Sequence, residues 1–296
     1  MTITSYDETM FPFRRMLVAL SGRDTDCGLL RYAAMLQRTL AGAETLCLHV
    51  AGEGDSSDLP RDLASRVADL LPEARSEVLG GDVLDTILAV ATARHSDVIL
   101  LGHASGRRRR SLARRLCMKA PCSVWIAPHQ SPTSMNRILV PIDFSRISAD
   151  TLSVATGLAE AAGLDECLAL HVEFNQAVVT FDEIDEILAE DHDRAFGLFI
   201  APIDLHGIWV KPLFVDSPNV AQTIVRIAVE QACDLILMGT RGRSPSAAVL
   251  LGSETEHCLM TSPVPLLAVK HFGARLSLLQ ALRDERLRKR GGERYT

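Results

Sequence analysis

The sequence predicts an α/β protein made of two open, doubly wound, parallel-sheet domains in tandem, each Rossmann-like and five-stranded. Two observations carry this prediction. Short apolar runs alternate with longer amphipathic segments along the chain, which is typical of parallel strands joined by helical crossovers. Four sequence patterns also occur twice, in the same order, so the repeating unit is a whole domain.

The four repeated patterns lie at predicted strands. They pair residues 15–20 with 137–142, 46–50 with 168–172, 96–102 with 233–239, and 121–127 with 263–269. The first two pairs share an offset of 122 residues, as Val18 and Val140 illustrate (140 − 18). The offset then grows along the chain, so the second copy carries insertions.

The elements are easiest to assign in the second copy. Its apolar runs predict strands at about 138–142, 167–172, 209–215, 235–239 and 264–269. Because these runs are apolar throughout rather than alternating, both faces of the sheet should be covered. Its amphipathic segments predict helices at about 148–162, 182–199, 219–231 and 253–261. The first copy gives the same series between about 16 and 127.

These elements set the expected domain boundaries. We assign residues 12–128 to the first domain and 137–270 to the second, and residues 129–136 have the composition of a linker. Residues 271–296 combine leucines with many arginines, which predicts a basic helical tail. Such a tail packs on the chain's own surface or meets a partner or a membrane surface, and the pattern leaves both open.

Composition narrows the classes of function. The net charge of −6 makes nucleic-acid binding an unfavoured interpretation. No apolar run reaches the ~18 residues of a membrane span, and the first residues lack the pattern of a secretory signal. The seven cysteines include no Cys-x-x-Cys pair and are interpreted as small buried apolar groups in a reducing compartment. We therefore expect a cytoplasmic protein that is not integral to a membrane.

A glycine-rich stretch after the fourth strand of the second copy predicts a phosphate site. It has the pattern Gly-x₂-Gly-x₉-Gly-Ser, formed by Gly239, Gly242, Gly252 and Ser253. Glycines let the backbone approach an anion without an intervening Cβ, and the last Gly-Ser pair opens a helix whose N–H groups suit a phosphate. Arg241 and Arg243 can neutralise a polyphosphate. Ligands of open parallel sheets bind at this end of the strands.

This pattern resembles the ATP-binding signature of the universal stress protein family. Residues 140–145 (VPIDFS) are similar to that family's first-strand motif, and His171-Val172 to the end of its second strand. The resemblance covers both copies, about 12–128 and 137–270. On these motifs the chain is identified as a tandem universal stress protein.

The resemblance implies how ATP, with Mg²⁺, would lie in the second domain. Asp143 would hold the ribose or adenine side, and the backbone of Val172 would meet the adenine. On residue chemistry alone, Asp143 could instead cap the following helix. The expected cofactor-binding residues are Pro141, Asp143, Val172, Met238, Gly239, Arg241, Gly242, Arg243, Gly252, Ser253 and Glu254.

The first copy departs from this pattern. Ser21 stands where the second copy has Asp143, and Arg110 takes the place of Gly252, although Ser111 still matches Ser253. We expect the first copy not to bind ATP in the family manner and to serve as a structural partner.

The arginines at 107–115 have several interpretations. They could bind an acidic partner, nucleic acid or the phosphates of a nucleotide held elsewhere, or they could belong to a solvated loop and helix start. The sequence leaves these open.

The resemblance favours an ATP-binding protein of stress response or signalling, whose nucleotide occupancy sets its conformation or its choice of an unknown protein partner. A slow ATPase or adenylyl-transferring enzyme and a ligand-free scaffold are the alternatives. No Walker lysine, zinc-protease or kinase motif occurs, so any hydrolysis should be slow.

Family members pair through their last strands. The resemblance therefore implies that segments 122–127 and 264–269 join the two copies as an internal pseudo-dimer, with a homodimer of whole chains as a further expectation.

Overall fold

Ten strands join into one sheet in the part of the chain described by the computed structural model, which is residues 13–52, 59–103, 107–173, 192–240 and 251–270. In chain order they are β1 Arg15–Leu20, β2 Glu44–Ala51, β3 Arg75–Gly80, β4 Val98–His103, β5 Ser123–Pro128, β6 Ile138–Ile142, β7 Glu166–Glu173, β8 Trp209–Asp216, β9 Leu235–Gly239 and β10 Leu266–Val269. Their spatial order is β3-β2-β1-β4-β5-β10-β9-β6-β7-β8. All neighbours are parallel except β5 and β10. The predicted α/β class with a parallel sheet is confirmed.

Helices cover both faces of this sheet. They are α1 Asp26–Thr39, α2 Leu59–Leu70, α3 Val83–Ala93, α4 Arg107–Lys119, α5 Arg146–Ala161, α6 at residues 192–200, α7 Val220–Glu230 and α8 Ser253–Thr261. Helices α1, α2, α5 and α6 contribute to the core on one face, and α3, α4, α7 and α8 to the core on the other. Each core runs through both halves of the sheet. Among the described helices, none combines the length and the apolar character that crossing a membrane requires.

The two halves of the sheet have the same strand order. It runs β3-β2-β1-β4-β5 in one half and β8-β7-β6-β9-β10 in the other. In each half the order reverses beside the first strand, so the topological switch points lie between β1 and β4 and between β6 and β9.

Hydrogen bonds at equivalent positions also repeat. The Nδ1 of His49 lies 3.2 Å from the last carbonyl oxygen of β1, and that of His171 lies 2.9 Å from the last carbonyl oxygen of β6. The carboxylates of Asp97 and Asp234 each accept backbone N–H groups where the first strand of their half begins. The duplication therefore extends to the contacts that fix strand ends.

Strands β5 and β10 join the halves by antiparallel pairing, with Trp125 opposite Leu267. These two residues are also equivalent in the repeat (267 − 125 = 142), so the sheet has a pseudo-twofold axis at this pair. The same offset relates Arg114 of α4 to Glu256 of α8 (256 − 114 = 142), whose charged atoms lie 2.6 Å apart. The predicted pairing of the last strands is thus observed within the chain, and β3 and β8 form the outer edges of the sheet.

Some elements differ from their predicted bounds. Strand β10 begins at Leu266 rather than at about 264, because Pro263 and Pro265 have no N–H group to give to a ladder. Part of the predicted helix 182–199 and the whole predicted tail 271–296 lie outside the described residues.

The cysteines pack as apolar groups. All seven are free thiols, and six of them are buried, while Cys27 is half-buried. Burial raises the pKa of each buried thiol to about 12, so these six stay protonated at neutral pH. Their interpretation as inert parts of the core is supported for these six residues.

Candidate functional site

The switch point of the second half opens early. The β6–β9 ladder ends at the pair Leu139–Ile236 after two residue pairs, whereas the β1–β4 ladder continues to Ala19–Leu101 through four. Pro141 of β6 occupies the position of Ala19 and has no N–H group to donate. Strands β6 and β9 therefore stop pairing earlier than β1 and β4 do, and we call the place beyond the last β6–β9 pair the crevice.

Asp143 lies at the mouth of this crevice, directly after β6. One of its carboxylate oxygens accepts the N–H of Ser145 at 3.1 Å. The cap of α5 is Ser145, whose hydroxyl accepts the N–H of Ser148 at 3.2 Å. The interpretation of Asp143 as the helix cap is therefore wrong, because the neighbouring serine performs that role.

Phe144 turns the chain sharply after Asp143. Its φ of +58° lies in the left-handed region, which costs a non-glycine residue roughly 1–3 kcal/mol. The ring packs against those of His171 and Phe199, with centroids 4.6 and 5.4 Å away. This aromatic packing holds the strained turn and thereby the position of the Asp143 carboxylate.

The two described ends of the glycine-rich stretch, Gly239 and Gly252-Ser253, meet on the other side of the crevice. The N–H of Gly252 donates to the carbonyl oxygen of Thr240 at 2.9 Å, and the hydroxyl of Thr255 donates to the carbonyl oxygen of Gly239 at 2.8 Å. The chain thus leaves the end of β9 and returns to the same point to begin α8. The intervening residues 241–250, which include the predicted Arg241, Gly242 and Arg243, lie outside the described residues.

The first turn of α8 is open to solvent. Gly252 is its cap, with φ −61° and ψ 142°, and Ser253 and Glu254 are exposed. The Ser253 hydroxyl lies 3.3 Å from a carboxylate oxygen of Glu254, to which it donates. The first N–H groups of a helix have no partner within that helix, so they and the positive end of the helix dipole suit an anion. The Glu254 carboxylate would repel an anion unless a cation lay between them.

The remaining predicted residues that the structure describes lie near the carboxyl ends of β7 and β9. Val172 lies in β7 one residue beyond the last β6–β7 pair, Ile142–His171. Met238 lies in β9 with its side chain buried in the core beneath α7 and α8. Pro141, Asp143 and Val172 therefore flank one side of the crevice, and Met238, Gly239, Gly252, Ser253 and Glu254 flank the other.

Two residues of this site were not among those predicted. Thr255 fixes the start of α8 to the end of β9, and Phe144 fixes the turn after Asp143. Phe144 stands inside the VPIDFS motif, but a positive φ at a phenylalanine has no signature in a single sequence. Thr255 follows the Gly-Ser pair closely, yet its partner is a backbone carbonyl that only the fold brings near.

Known proteins resemble this chain in sequence and in fold. A universal stress protein of Methanocaldococcus jannaschii is 27% identical over 155 residues, an alignment that covers 45% of this chain and 94% of that protein. The crystal structure of a functionally unknown protein from Pseudomonas aeruginosa PAO1 is 18% identical, covers 94% of this chain and 98% of its own, and has a TM-score of 0.66. The crystal structure of a universal stress protein from Archaeoglobus fulgidus is 20% identical, covers 88% of this chain and 99% of its own, and has a TM-score of 0.59.

At these identities the two solved structures show the fold alone, and they show it over most of the chain. The model of the Universal stress protein family matches residues 135–270. The second half of this chain is therefore a domain of the universal stress protein family.

Proposed function

We propose that this protein is a tandem universal stress protein that binds one ATP, with Mg²⁺, in its second domain, residues 137–270. Residues 12–128 would form a second domain of the same family with a degenerate nucleotide site. Nucleotide occupancy would set the protein's conformation or its choice of protein partner. The name of the curated relative supports a role in stress response.

The observation that carries this proposal is the contact between the end of β9 and the start of α8 at the switch point, which are the two described ends of the glycine-rich stretch. The Gly252–Thr240 hydrogen bond joins the end of β9 to the start of α8. A phosphate chain at this junction would receive the N–H groups of the first turn of α8 and the hydroxyl of Ser253. Arg241 and Arg243 belong to the segment that this junction closes, where they would offset the phosphate charge.

The nucleoside would lie on the opposite side of the crevice. The Asp143 carboxylate follows β6 directly and can accept hydrogen bonds from ribose hydroxyls. The adenine would lie against the backbone of Val172, beyond the end of β6, and the ribose and phosphates would extend from there across the opening that the early end of the β6–β9 ladder leaves. A ligand at this place agrees with the general location of ligands in open parallel sheets.

Glu254 supports the inclusion of Mg²⁺. Its carboxylate stands in the first turn of α8, beside the proposed phosphates. Like charges would repel there, and a hard cation with oxygen ligands would relieve the repulsion. Removing Mg²⁺ with EDTA should therefore weaken ATP binding at least tenfold in the native protein, and less in Glu254→Gln.

Calorimetric titration with Mg·ATP tests the proposal. The native chain should bind one ATP, and Gly252→Glu should abolish binding, because it adds a carboxylate against the phosphates. The φ and ψ of Gly252 are accessible to any residue, so this variant should melt within a few degrees of the native protein. Gly252→Ala is the matched control. It should weaken binding only about tenfold, which corresponds to a loss of about 1.4 kcal/mol of binding free energy.

Asp143→Ala should weaken binding from the nucleoside side, and Ser21→Ala, at the equivalent position of the first half, should leave it unchanged. No binding by the native chain would favour the scaffold alternative. Binding that neither Gly252→Glu nor Asp143→Ala affects would mean that the site lies elsewhere.

A further inference from the structure

The first half of the molecule contains a cavity of its own. It has a volume of about 600 Å³ and lies at the carboxyl ends of β1, β2, β4 and β5, with side chains of α1, α3 and α4 in its walls. Small-molecule sites in proteins usually have volumes of about 300–1,000 Å³. The cavity is therefore large enough for a compact organic ligand.

The acidic group at this switch point is not available to a ribose. Ser21 and Asp26 occupy the positions of Asp143 and Ser148, so the carboxylate and the hydroxyl have exchanged places (both offsets are 122). Asp26 is buried, with 4% of its surface exposed. Its carboxylate accepts the Ser21 hydroxyl at 2.8 Å and three backbone N–H groups of residues 21–23. The Asp26 carboxylate therefore holds the turn through these four hydrogen bonds, which occupy its acceptor positions.

The helix start that would meet phosphates has also moved. Helix α8 begins at Ser253, but α4 begins at Arg107, four residues before Ser111, the equivalent of Ser253. The N–H of Ser111 therefore falls within the α-helix, beyond the first turn whose N–H groups lack partners. The arrangement proposed for ATP in the second half is thus missing from this cavity on both the ribose and the phosphate sides.

The cavity has an apolar interior. Leu29, Leu48 and Leu101 line it and are each at most 5% exposed, and the partly exposed Val83 and Leu112 extend this apolar wall towards solvent. Apolar walls of this kind favour the burial of a hydrocarbon or aromatic body.

The polar groups of the lining carry an excess of positive charge. Arg23 and Arg115 line the cavity and are exposed. Neither forms an ion pair with a carboxylate among the residues that the structure describes. The Nε of Arg115 donates to the carbonyl oxygen of Ser111 at 3.3 Å, which leaves its terminal nitrogens to meet an anion.

We propose that this cavity binds a small monoanion with an apolar body, such as a medium-chain carboxylate. The apolar part would lie among the leucines, and the carboxylate would lie near Arg23 and Arg115 at the solvent side. The first half then has a ligand of its own, of a different chemical class from the nucleotide proposed for the second half.

The test uses decanoate, below its micelle concentration, as a probe of the native chain. Val83 is the first residue of α3 and is 43% exposed, so substitutions there should leave the fold intact. Val83→Glu places a like charge beside the bound carboxylate and should weaken binding at least tenfold. Val83→Lys, the matched control, removes the same apolar surface with a side chain of similar length and the opposite charge, so it should bind decanoate at least tenfold more tightly than Val83→Glu does.

The two arginines and the ligand head group supply further comparisons. Arg23→Gln and Arg115→Gln should each weaken decanoate binding about three- to tenfold, and decanol should bind more weakly than decanoate. One decanoate per chain with these effects supports the proposal. The absence of binding, equal binding by Val83→Glu and Val83→Lys, or displacement of decanoate by Mg·ATP would overturn it.

Discussion

The two switch points of this sheet share their strand order and differ in their chemistry. In the first half a buried Asp26 is fully used by the turn after β1, with Ser21 as one of its donors. In the second half the carboxylate, Asp143, stands at the crevice, and the serine, Ser148, lies inside the helix start. Exchanging two side chains thus moves an acidic group from a buried position inside the turn to the half-buried position directly after the strand.

The turns that follow β1 and β6 also differ between the halves. Gly22 and Phe144 are equivalent residues, with φ values of +76° and +58°. Glycine adopts this conformation at no steric cost, whereas Phe144 needs the packing of two aromatic rings. The second half therefore maintains a strained residue beside its candidate site, a combination that recurs at functional sites.

The largest expected difference between the halves concerns their carboxylates. Asp26→Ala should destabilise the fold by about 3 kcal/mol, because it removes the four charge-assisted hydrogen bonds by which a buried carboxylate holds the turn. Asp143→Ala, at the half-buried position, should cost less than about 1 kcal/mol and lower ATP affinity instead. Urea unfolding of both variants measures this contrast. Similar losses of stability would remove the distinction between a structural and a binding carboxylate.

Replacing the glycine in the turn after β1 should have the next largest effect. Gly22→Ala should destabilise the protein by about 1–2 kcal/mol, because an alanine at positive φ is strained there. ATP binding should not change, since the turn belongs to the first half. Thermal melting with and without Mg·ATP measures both quantities. A loss of ATP affinity in Gly22→Ala would mean that the first turn takes part in the nucleotide site.

Pro141 offers a smaller and more specific test. Pro141→Ala restores the N–H group that Ala19 has in the first half, so the β6–β9 ladder can extend towards the four pairs seen between β1 and β4. The crevice should narrow, and ATP affinity should fall about tenfold, which corresponds to about 1.4 kcal/mol of binding free energy. The stability of the fold should change little. Unchanged affinity would show that the crevice does not depend on this proline.

The smallest effect is expected at the pseudo-twofold axis. Arg114 and Glu256 are equivalent residues of opposite charge, and both are partly exposed. Such pairs contribute about 0–1 kcal/mol, so Arg114→Glu should destabilise the fold by less than about 1 kcal/mol. Combining Arg114→Glu with Glu256→Arg should restore the loss. A double-mutant cycle with no coupling would show that the pair has no part in joining the halves.

Local patterns in the sequence predicted the parts of the fold that local patterns determine. The strands β6 and β9 and the start of α8 at Ser253 lie where they were predicted, because apolar runs and a Gly-Ser helix start act over a few residues. The pairing of the last strands followed from the family resemblance and the repeat, and it is observed.

Features that depend on distant contacts could not be predicted in this way. The early end of the β6–β9 ladder needs two strands almost 100 residues apart to be aligned (235 − 138 = 97). The earlier start of α4 and the cavity beside it need the packing of three helices around β1 and β4. The sequence shows that Ser21 and Asp26 stand where the second half has Asp143 and Ser148. Only the structure shows that the turn encloses the carboxylate of Asp26.

We propose that the two halves have diverged to take different ligands, and a titration that combines both ligands distinguishes their sites. Mg·ATP is titrated into the native chain, first alone and then with decanoate at saturation, and the stoichiometry and affinity are compared. We expect one ATP per chain in both titrations, with an affinity that decanoate changes less than twofold. Two ATP molecules per chain, or an ATP affinity that falls as decanoate is added, would contradict it.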